Sequence, residues 1–444
     1  MSSHPTHPPL AIAQPTQWDY PKTTQPHQLE LSNSGTKTKS PTRHSADNRK
    51  RRQVNHIALP ARYQHPPMVS SYFPYKVGGS LAWNDPSYIR RQADTDLENA
   101  LAQNQFAYAL GPRQIGKSSL RIHTRHRLIQ SGYRCASVQA TQLQSDSDHC
   151  FLKDLLASLY IELVSDNLKP LLQWIEKTAQ APSTEQLSRF VDDFLAKQLS
   201  KHPIVIFIDE IDALLETTIS RVLFTWILDC YKQRADNPLY RQLNFVVLGS
   251  AIATDLPHSA TLLAQGQEII LQPFQLTETY AFQTGFEEKI DDPTTLISAI
   301  YRWTNGQPFL TQKLCCIVSG LIDSLVQPSS NPITLSSKTL NQWVDSIVRS
   351  HIIQDWQTKD EPDHLRTISG RINRSYNRKA LLSLYQDLYL ERPVRANGSY
   401  TQAELILSGL AILKDNHLKI ANNIYRAVFQ IKPSQTKPSP KQPS

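Results

Sequence analysis

The sequence predicts an α/β fold in which a parallel sheet is followed by a helical lid subdomain and a C-terminal winged-helix domain, with disordered tails at both ends. Three observations carry this reading. Short continuous apolar runs such as Ile204–Ile208 alternate with helical periodicities over about 200 residues, as in strands covered on both faces. After Pro273 the strand-like runs stop while the helical ones continue. The last apolar stretch reads helix, helix, hairpin, helix.

The elements follow in chain order. Residues 1–70 hold 10 of the 29 prolines and few large aliphatics, so they cannot bury enough apolar area to offset chain entropy. We read 1–70 as a disordered basic tail. Its Arg49, Lys50, Arg51 and Arg52 suit either a nucleic-acid, anionic-lipid or localisation contact or a plain solvated charge run. Order is expected from near Tyr72, with a helix from Asp94 and a short strand Phe106–Leu110 ended by Gly111. Then come a helix Ser118–Ile129, a strand Tyr133–Gln139 and a helix Phe151–Val164. The strand Ile204–Ile208, the helix Thr218–Gln233 and the strands Asn244–Leu248 and Glu268–Leu271 complete a domain over 71–274. Thr277–Lys289, Pro293–Thr304 and Pro308–Leu325 read as helices of a lid over 275–350. Residues 351–373 are polar and suggest a connector. Within 374–430, helices Arg378–Leu390 and Thr401–Leu410, a hairpin around Asn416 and His417 and a helix Ile424–Gln430 make the winged-helix-like domain. Residues 431–444, with four prolines, form a second tail.

The formal net charge of +8 sits in these tails: 71–430 holds 35 basic and 36 acidic side chains. The folded part is therefore not basic. No apolar run approaches the roughly 20 residues that span a bilayer, and the N-terminus lacks a basic n-region and an apolar h-region. The five cysteines form no CxxC pair, which points away from zinc and disulfides and toward the cytoplasm. Cys315 and Cys316 sit in an apolar helical context and read as packing.

The sharpest motif is GPRQIGKS, Gly111–Ser118, a complete GxxxxGK[ST] phosphate loop between a predicted strand and helix. Such a loop turns backbone N–H groups of Gly111, Pro112's neighbours Arg113, Gln114 and Ile115, and Gly116 toward phosphate oxygens at a helix N-terminus. Lys117 then meets the outer phosphates, and the Ser118 hydroxyl completes an oxygen shell for Mg²⁺. Downstream, IVIFIDE (Ile204–Glu210) is a buried strand ending in two carboxylates. Asp209 is expected to hold a Mg²⁺-bound water and Glu210 to orient or deprotonate the attacking water. Ser250, ending FVVLGS, stands where a polar group senses a terminal phosphate, or is a plain strand-end serine. Asp212 is read as capping the next turn, and Pro308 of NGQPF as a helix N1 proline.

GPRQIGKSSLR, IVIFIDEIDALL, NFVVLGSAIATDL, WTNGQPFLTQKLC and DEPDHLRTI together resemble, in order and spacing, the AAA-like P-loop ATPase module common in cyanobacterial proteins, which is similar to the STAND signal-transducing ATPases. The resemblance covers about residues 72–430. It implies a P-loop NTPase sheet, lid and winged helix closing around ATP or ADP with Mg²⁺. It also implies that Tyr88, Ile89 and Arg91 lie near the base and ribose, that Pro308 packs on the adenine, and that Arg113 and Ser119 belong to the nucleotide loop. One departure is Gln267, where the resemblance leads one to expect an arginine; if that arginine completes the phosphate site, hydrolysis here is slow. ATP over GTP rests on the resemblance, no NKxD reader being present.

Three functions follow. The first is a Mg-ATP-binding regulatory ATPase that switches conformation and passes the change to a protein partner or a second copy of itself. The second is a nucleic-acid-binding ATPase using the winged helix and basic tails, although Thr401–Leu410 offers Glu404 and no basic residue for a major groove. The third is a nucleotide-holding scaffold that does not hydrolyse.

Overall fold

The computed structural model describes residues 75–143, 148–325 and 332–430. The expected tails 1–70 and 431–444, with the cluster at 49–52, lie outside the described residues. The sheet contains β1 (Ala107–Leu110), β2 (Arg134–Gln139), β3 (Ile204–Asp209), β4 (Leu243–Gly249) and β5 (Gln267–Glu268), in the order β2-β3-β4-β1-β5. Every pairing is parallel.

The continuous apolar runs exist because both faces are covered, and alternate residues go to different cores. Ile206, Ile208, Phe245 and Val247 pack on one side with the helices Asp148–Leu163 and Thr218–Gln233. Val205, Phe207, Val246 and Leu248 pack on the other with Gln92–Ala102 and Lys117–Gln130. Parallel register then gathers the strand ends at one edge: Leu110 lies beside Gly249, and Gln139 beside Asp209. Ligands of open α/β sheets bind at this carboxyl edge.

Several elements differ from the sequence reading. Strand β5 pairs only Gln267 and Glu268, with Ile269 N donating once more to Tyr108 O at 2.8 Å, before Pro273 leads the chain away. The long β2-to-β3 crossover holds helices Lys169–Thr178, Ser183–Phe190 and Ala196–Leu199, none of which was expected. The expected helix Thr277–Lys289 is instead a turn of α-helix, Leu276–Thr279, followed by a 3₁₀ stretch, Tyr280–Gly285. Phe282 and Phe286 are both drawn onto Tyr75, with ring centroids 6.0 and 5.3 Å away. That packing and Gly285 prevail over helix propagation.

Pro293–Thr304 and Pro308–Leu325 are helices as read, and Ser337–Val348 adds a third capped by Ser336. The stretch read as a connector contains the helix Leu365–Arg374, whose Leu365, Ile368 and Ile372 are buried. These join one apolar core that runs from Phe282 and Leu296 to Leu405, Leu418 and Tyr425. The helical and C-terminal parts are therefore packed as one body. At the end, helices Arg378–Tyr389, Tyr400–Ser408 and Asn423–Val428 surround an antiparallel sheet of β6 (Val394–Arg395), β7 (Ala411–Lys414) and β8 (His417–Ile420), ordered β6-β8-β7. The hairpin turns at Asp415 and Asn416, both at positive φ (51° and 60°), rather than at Asn416 and His417. Asx side chains tolerate that region better than histidine does. Among the described residues no helix is long and apolar enough to cross a membrane.

Candidate functional site

The loop Gly111–Gly116 leaves the end of β1 and enters the helix Lys117–Gln130. Gly116 has φ +99°, and a Cβ there would lie 2.8 Å from Arg91 Nη2. Only glycine suits that position. Gly111, by contrast, takes an ordinary φ and a Cβ on it would meet nothing within 4 Å, so its conformational freedom is not what shapes the loop.

Lys117 Nζ donates to the carbonyls of Gly111 (2.9 Å) and Pro112 (2.6 Å) and to Ser250 Oγ (3.2 Å). Burial pulls its ammonium down to about 8, against the opposing pull of the Asp212 and Asp209 carboxylates. Ser250, at the end of β4, thus touches the loop lysine directly.

The carboxylates after β3 are each held. Asp209, 2% exposed, accepts Arg121 Nε at 3.0 Å on Oδ2 and its neighbour Glu210's N–H at 3.0 Å on Oδ1. Glu210, at φ +59°, is exposed and accepts Thr141 Oγ1 at 2.7 Å. Asp212 does more than the turn-capping expected of it. It accepts Ser250 N–H at 2.8 Å and Arg113 Nη2 at 3.2 Å, and although burial raises its pKa, these bonds and the Arg113 charge hold it below the usual carboxylate value. Gly249 makes room for this, since a Cβ there would fall 2.5 Å from the Ile211 side chain.

A divalent cation would find hard oxygens here. The Ser118 hydroxyl on the first helical turn and the Asp209 carboxylate are a donor pair suited to Mg²⁺, which takes its remaining ligands from water and phosphate. Among the described residues no group of three or more His, Cys, Asp or Glu could hold a metal by itself.

Beneath the loop, Tyr88, Ile89, Arg91 and Pro308 line one cavity of about 80 Å³ together with Gly116 and Ser119. The four base-side residues named from the sequence are therefore neighbours, but they differ in what they do. Tyr88 stacks on His123 with ring centroids 3.4 Å apart and donates to Asp94 at 2.5 Å. Arg91 is buried, and its Nη1 donates to Ile115 O (2.9 Å) and Gln272 O (3.1 Å) while the guanidinium lies over Phe274. Arg91 is a brace beneath the loop. Ser119 Oγ accepts the Leu81 N–H at 3.0 Å, fastening the segment before the first helix to the loop's helix. Gly306, φ +71°, lets Phe274 N donate to its carbonyl at 2.8 Å; a Cβ would fall 1.9 Å from Phe274 O.

On the outer side a larger cavity of about 430 Å³ separates Gly111–Ile115 from the C-terminal part. The lid's Gln307 Nε2 donates to Gln114 O at 3.2 Å, and Gln114 Nε2 donates to Asp363 O at 3.0 Å. Arg371 lines this cavity with no side-chain hydrogen bond or ion pair among the described residues. It lies within electrostatic range of Lys117, Arg113 and Asp212. Sequence reading assigned no role to Thr141, Gln307, His364 or Arg371, although the runs WTNGQPFLTQKLC and DEPDHLRTI marked parts of this wall.

Gln267 lies elsewhere. It pairs with Ala107 at the start of β1, four residues or roughly 13 Å of strand from Gly111 at about 3.3 Å per residue; its N–H donates to Phe106 O at 2.7 Å and its side-chain Nε2 to its neighbour's carbonyl at 3.0 Å. An arginine there would not complete the phosphate site of its own chain. Cys315 is buried, and burial pushes its thiol up, in keeping with a packing role.

The pattern of the AAA-like domain family matches residues 76–321, more than half of the chain. An uncharacterized WD repeat-containing protein of Synechocystis sp. is 35% identical over 361 residues, which are 80% of this chain and 30% of that protein. The chain thus spans under a third of that relative's length. Among solved structures, a Walker-type ATPase of Pyrococcus abyssi aligns over 81% of this chain and 100% of its own at 16% identity and a TM-score of 0.48. The ORC2 protein of Aeropyrum pernix, in ADPNP and ADP complexes, aligns over 74% and 87% at 14% identity and a TM-score of 0.42.

Proposed function

The chain belongs to the AAA-like domain family, and from that premise we propose that it is a Mg-ATP-binding regulatory ATPase that works as a nucleotide-gated conformational switch with slow hydrolysis. The observation that carries this reading is that the phosphate loop is gripped on both sides: by Lys117 and Asp212 at the sheet's carboxyl edge, with Ser250 bonded to both, and by Gln307, Asp363 and His364 from the lid and C-terminal part. A loop so placed cannot rearrange around phosphate without disturbing what holds its outer face.

In this reading the backbone N–H groups of Arg113–Ser118 cradle the phosphates, with Lys117 leaving the loop carbonyls for the outer phosphates. Ser118 and Asp209 would hold magnesium, which supplies charge neutralisation at the outer phosphates when bound. Glu210 orients the attacking water once it leaves Thr141, and Ser250 reports on the terminal phosphate through Lys117. Tyr88, Ile89 and Pro308 bound the base, and Arg91 keeps the loop in shape. Slow turnover follows from Asp209 being tied to Arg121 and Glu210 to Thr141, not from Gln267. The output goes to a protein partner or to another copy of the chain.

Nucleic-acid binding gains nothing from the geometry. The helix Tyr400–Ser408, which would have to enter a groove, places Ile406, Leu407 and Ser408 on the cavity facing the phosphate loop. The test is to denature purified protein and identify the released nucleotide, with Lys117→Ala treated in parallel, and then to follow phosphate release from ATP. About one ADP or ATP per wild-type chain and none in the variant is expected; an empty wild-type site with no phosphate release would overturn the reading.

A further inference from the structure

Gln114 occupies one of the variable positions of the loop, yet every polar atom of its side chain is engaged away from the phosphate cradle. Nε2 donates to Asp363 O at 3.0 Å, and Oε1 meets His364 Nδ1. The other ring nitrogen of that histidine, Nε2, meets the Tyr425 hydroxyl at 2.7 Å. Two side-chain links thus join the phosphate loop to the last helix of the C-terminal domain.

The direction of each bond can be worked out. The Asp363 carbonyl only accepts, which fixes the Gln114 amide with Nε2 toward it and Oε1 toward the histidine. His364 Nδ1 therefore carries the proton. His364 is 3% exposed and its ring stacks on Phe309 with centroids 4.6 Å apart, a setting that keeps the imidazole neutral. Its Nε2 is then an acceptor, and the hydroxyl of Tyr425 donates to it. The chain runs Tyr425 O–H to His364 Nε2, His364 Nδ1–H to Gln114 Oε1, and Gln114 Nε2–H to Asp363 O, and no member can be reversed without leaving two donors or two acceptors face to face.

The turn carrying His364 is itself stiff. The backbone N–H groups of His364 and Arg366 both donate to Asp360 Oδ2 at 2.8 Å, and Asp360 faces Lys313 at 3.7 Å. Gln114 has φ +59° and its carbonyl is held by Gln307. We propose that Gln114, His364 and Tyr425 form a hydrogen-bonded relay that transmits the state of the phosphate loop to the C-terminal domain. The proposal rests on the switch reading above. If Gln114 turns when the loop wraps a phosphate, the buried His364 Nδ1–H loses its acceptor, which is costly. The turn 360–366 and Tyr425 then shift with it. His364 and Tyr425 are positioning residues, acting through Gln114 without touching nucleotide.

The test uses the full chain and MgADP as probe. Binding is followed with a fluorescent ADP analogue, and backbone amide exchange over 411–428 is compared with and without MgADP. Wild-type exchange should change by about fivefold or more, the low end for coupled sites. Tyr425→Phe, which removes one hydroxyl, should bind MgADP like the wild type yet lose that change. Tyr385→Phe is the control, since its hydroxyl reaches Tyr425 O in the same core but lies outside the relay; it should keep the change. Retention of the response in Tyr425→Phe, or its equal loss in Tyr385→Phe, would overturn the relay. Should Tyr425→Phe fail to fold, Gln114→Ala at the other end is read in its place, by response per bound ADP. A wild type that binds no MgADP sinks the switch reading itself, which the binding arm registers separately.

Discussion

The two walls of the phosphate loop are made in different ways. The inner wall is built where parallel strands end, from Lys117, Asp209, Glu210 and Ser250, and each of these lies next to a strand or helix that its neighbours in sequence already specify. The outer wall is built from Gln307, Asp363, His364 and Arg371, which come to the loop from about 190 to 260 positions downstream. The difference teaches that chemistry and control have separate sources here: local motifs supply the phosphate contacts, and long-range packing supplies what restrains them.

The comparison breaks first at Lys117. Lys117→Ala should lower nucleotide affinity by about 10³-fold, the scale of losing a close, desolvated charge contact; titration calorimetry retaining wild-type affinity would remove the inner wall from phosphate binding. Next, Glu210→Gln should keep affinity and reduce turnover by about 10²-fold or more, checked by phosphate release under saturating ATP.

The outer wall gives a pH signature. Burial holds the His364 imidazole at about 3, below its ordinary 6.5, so the unfolded chain binds a proton that the native chain refuses between those values. Stability from this group is complete above pH 6.5 and is lost as pH falls, by about 2 kcal/mol at pH 5. Urea unfolding at pH 7.5 and pH 5 should show that loss in the wild type and a shallower one in His364→Phe. A smaller effect is expected for Arg371→Ala: about a tenfold loss of ATP affinity, the scale of one charge-assisted hydrogen bond, with ADP affinity unchanged. An equal loss for both nucleotides would show that Arg371 does not distinguish ATP from ADP. Last, Gln267→Arg should leave the turnover of dilute protein as it was, because position 267 lies at the far end of β1. A rise would place that strand end near a phosphate site after all.

What was legible in the sequence follows the same division. The strands β1, β3 and β4 and the loop were readable because burial on both faces leaves a continuous apolar run and because GxxxxGK[ST] has one structural use between strand and helix. Tyr88, Ile89, Arg91 and Pro308 were named together through a family resemblance, and they line one cavity, but Arg91's bracing of the Ile115 carbonyl could not be seen from PSYIRRQAD. Asp212 looked like a turn cap because only tertiary structure brings Ser250 N–H and Arg113 to it. The stretch 351–373 looked like a connector because its buried apolar residues, Ile352, Leu365, Ile368 and Ile372, are spread thinly among charges. Gln114 looked like any variable loop position, since its partners are set by how the C-terminal body docks.

The single apolar core that joins the helical part to the C-terminal sheet bears on how large a motion can be. Because Phe282, Phe274 and Tyr425 belong to the same packed interior, and Phe274 is seated on the backbone of Gly306, this half of the chain would move as one lever in the switch proposed above. The gain of such a lever is set by geometry: a rotation of a few degrees where the chain leaves the sheet would grow into a larger displacement with distance from that point. In the proposed switch, a shift of a fraction of an ångström at the phosphate loop would then reach a partner as a displacement large enough to make or break a contact.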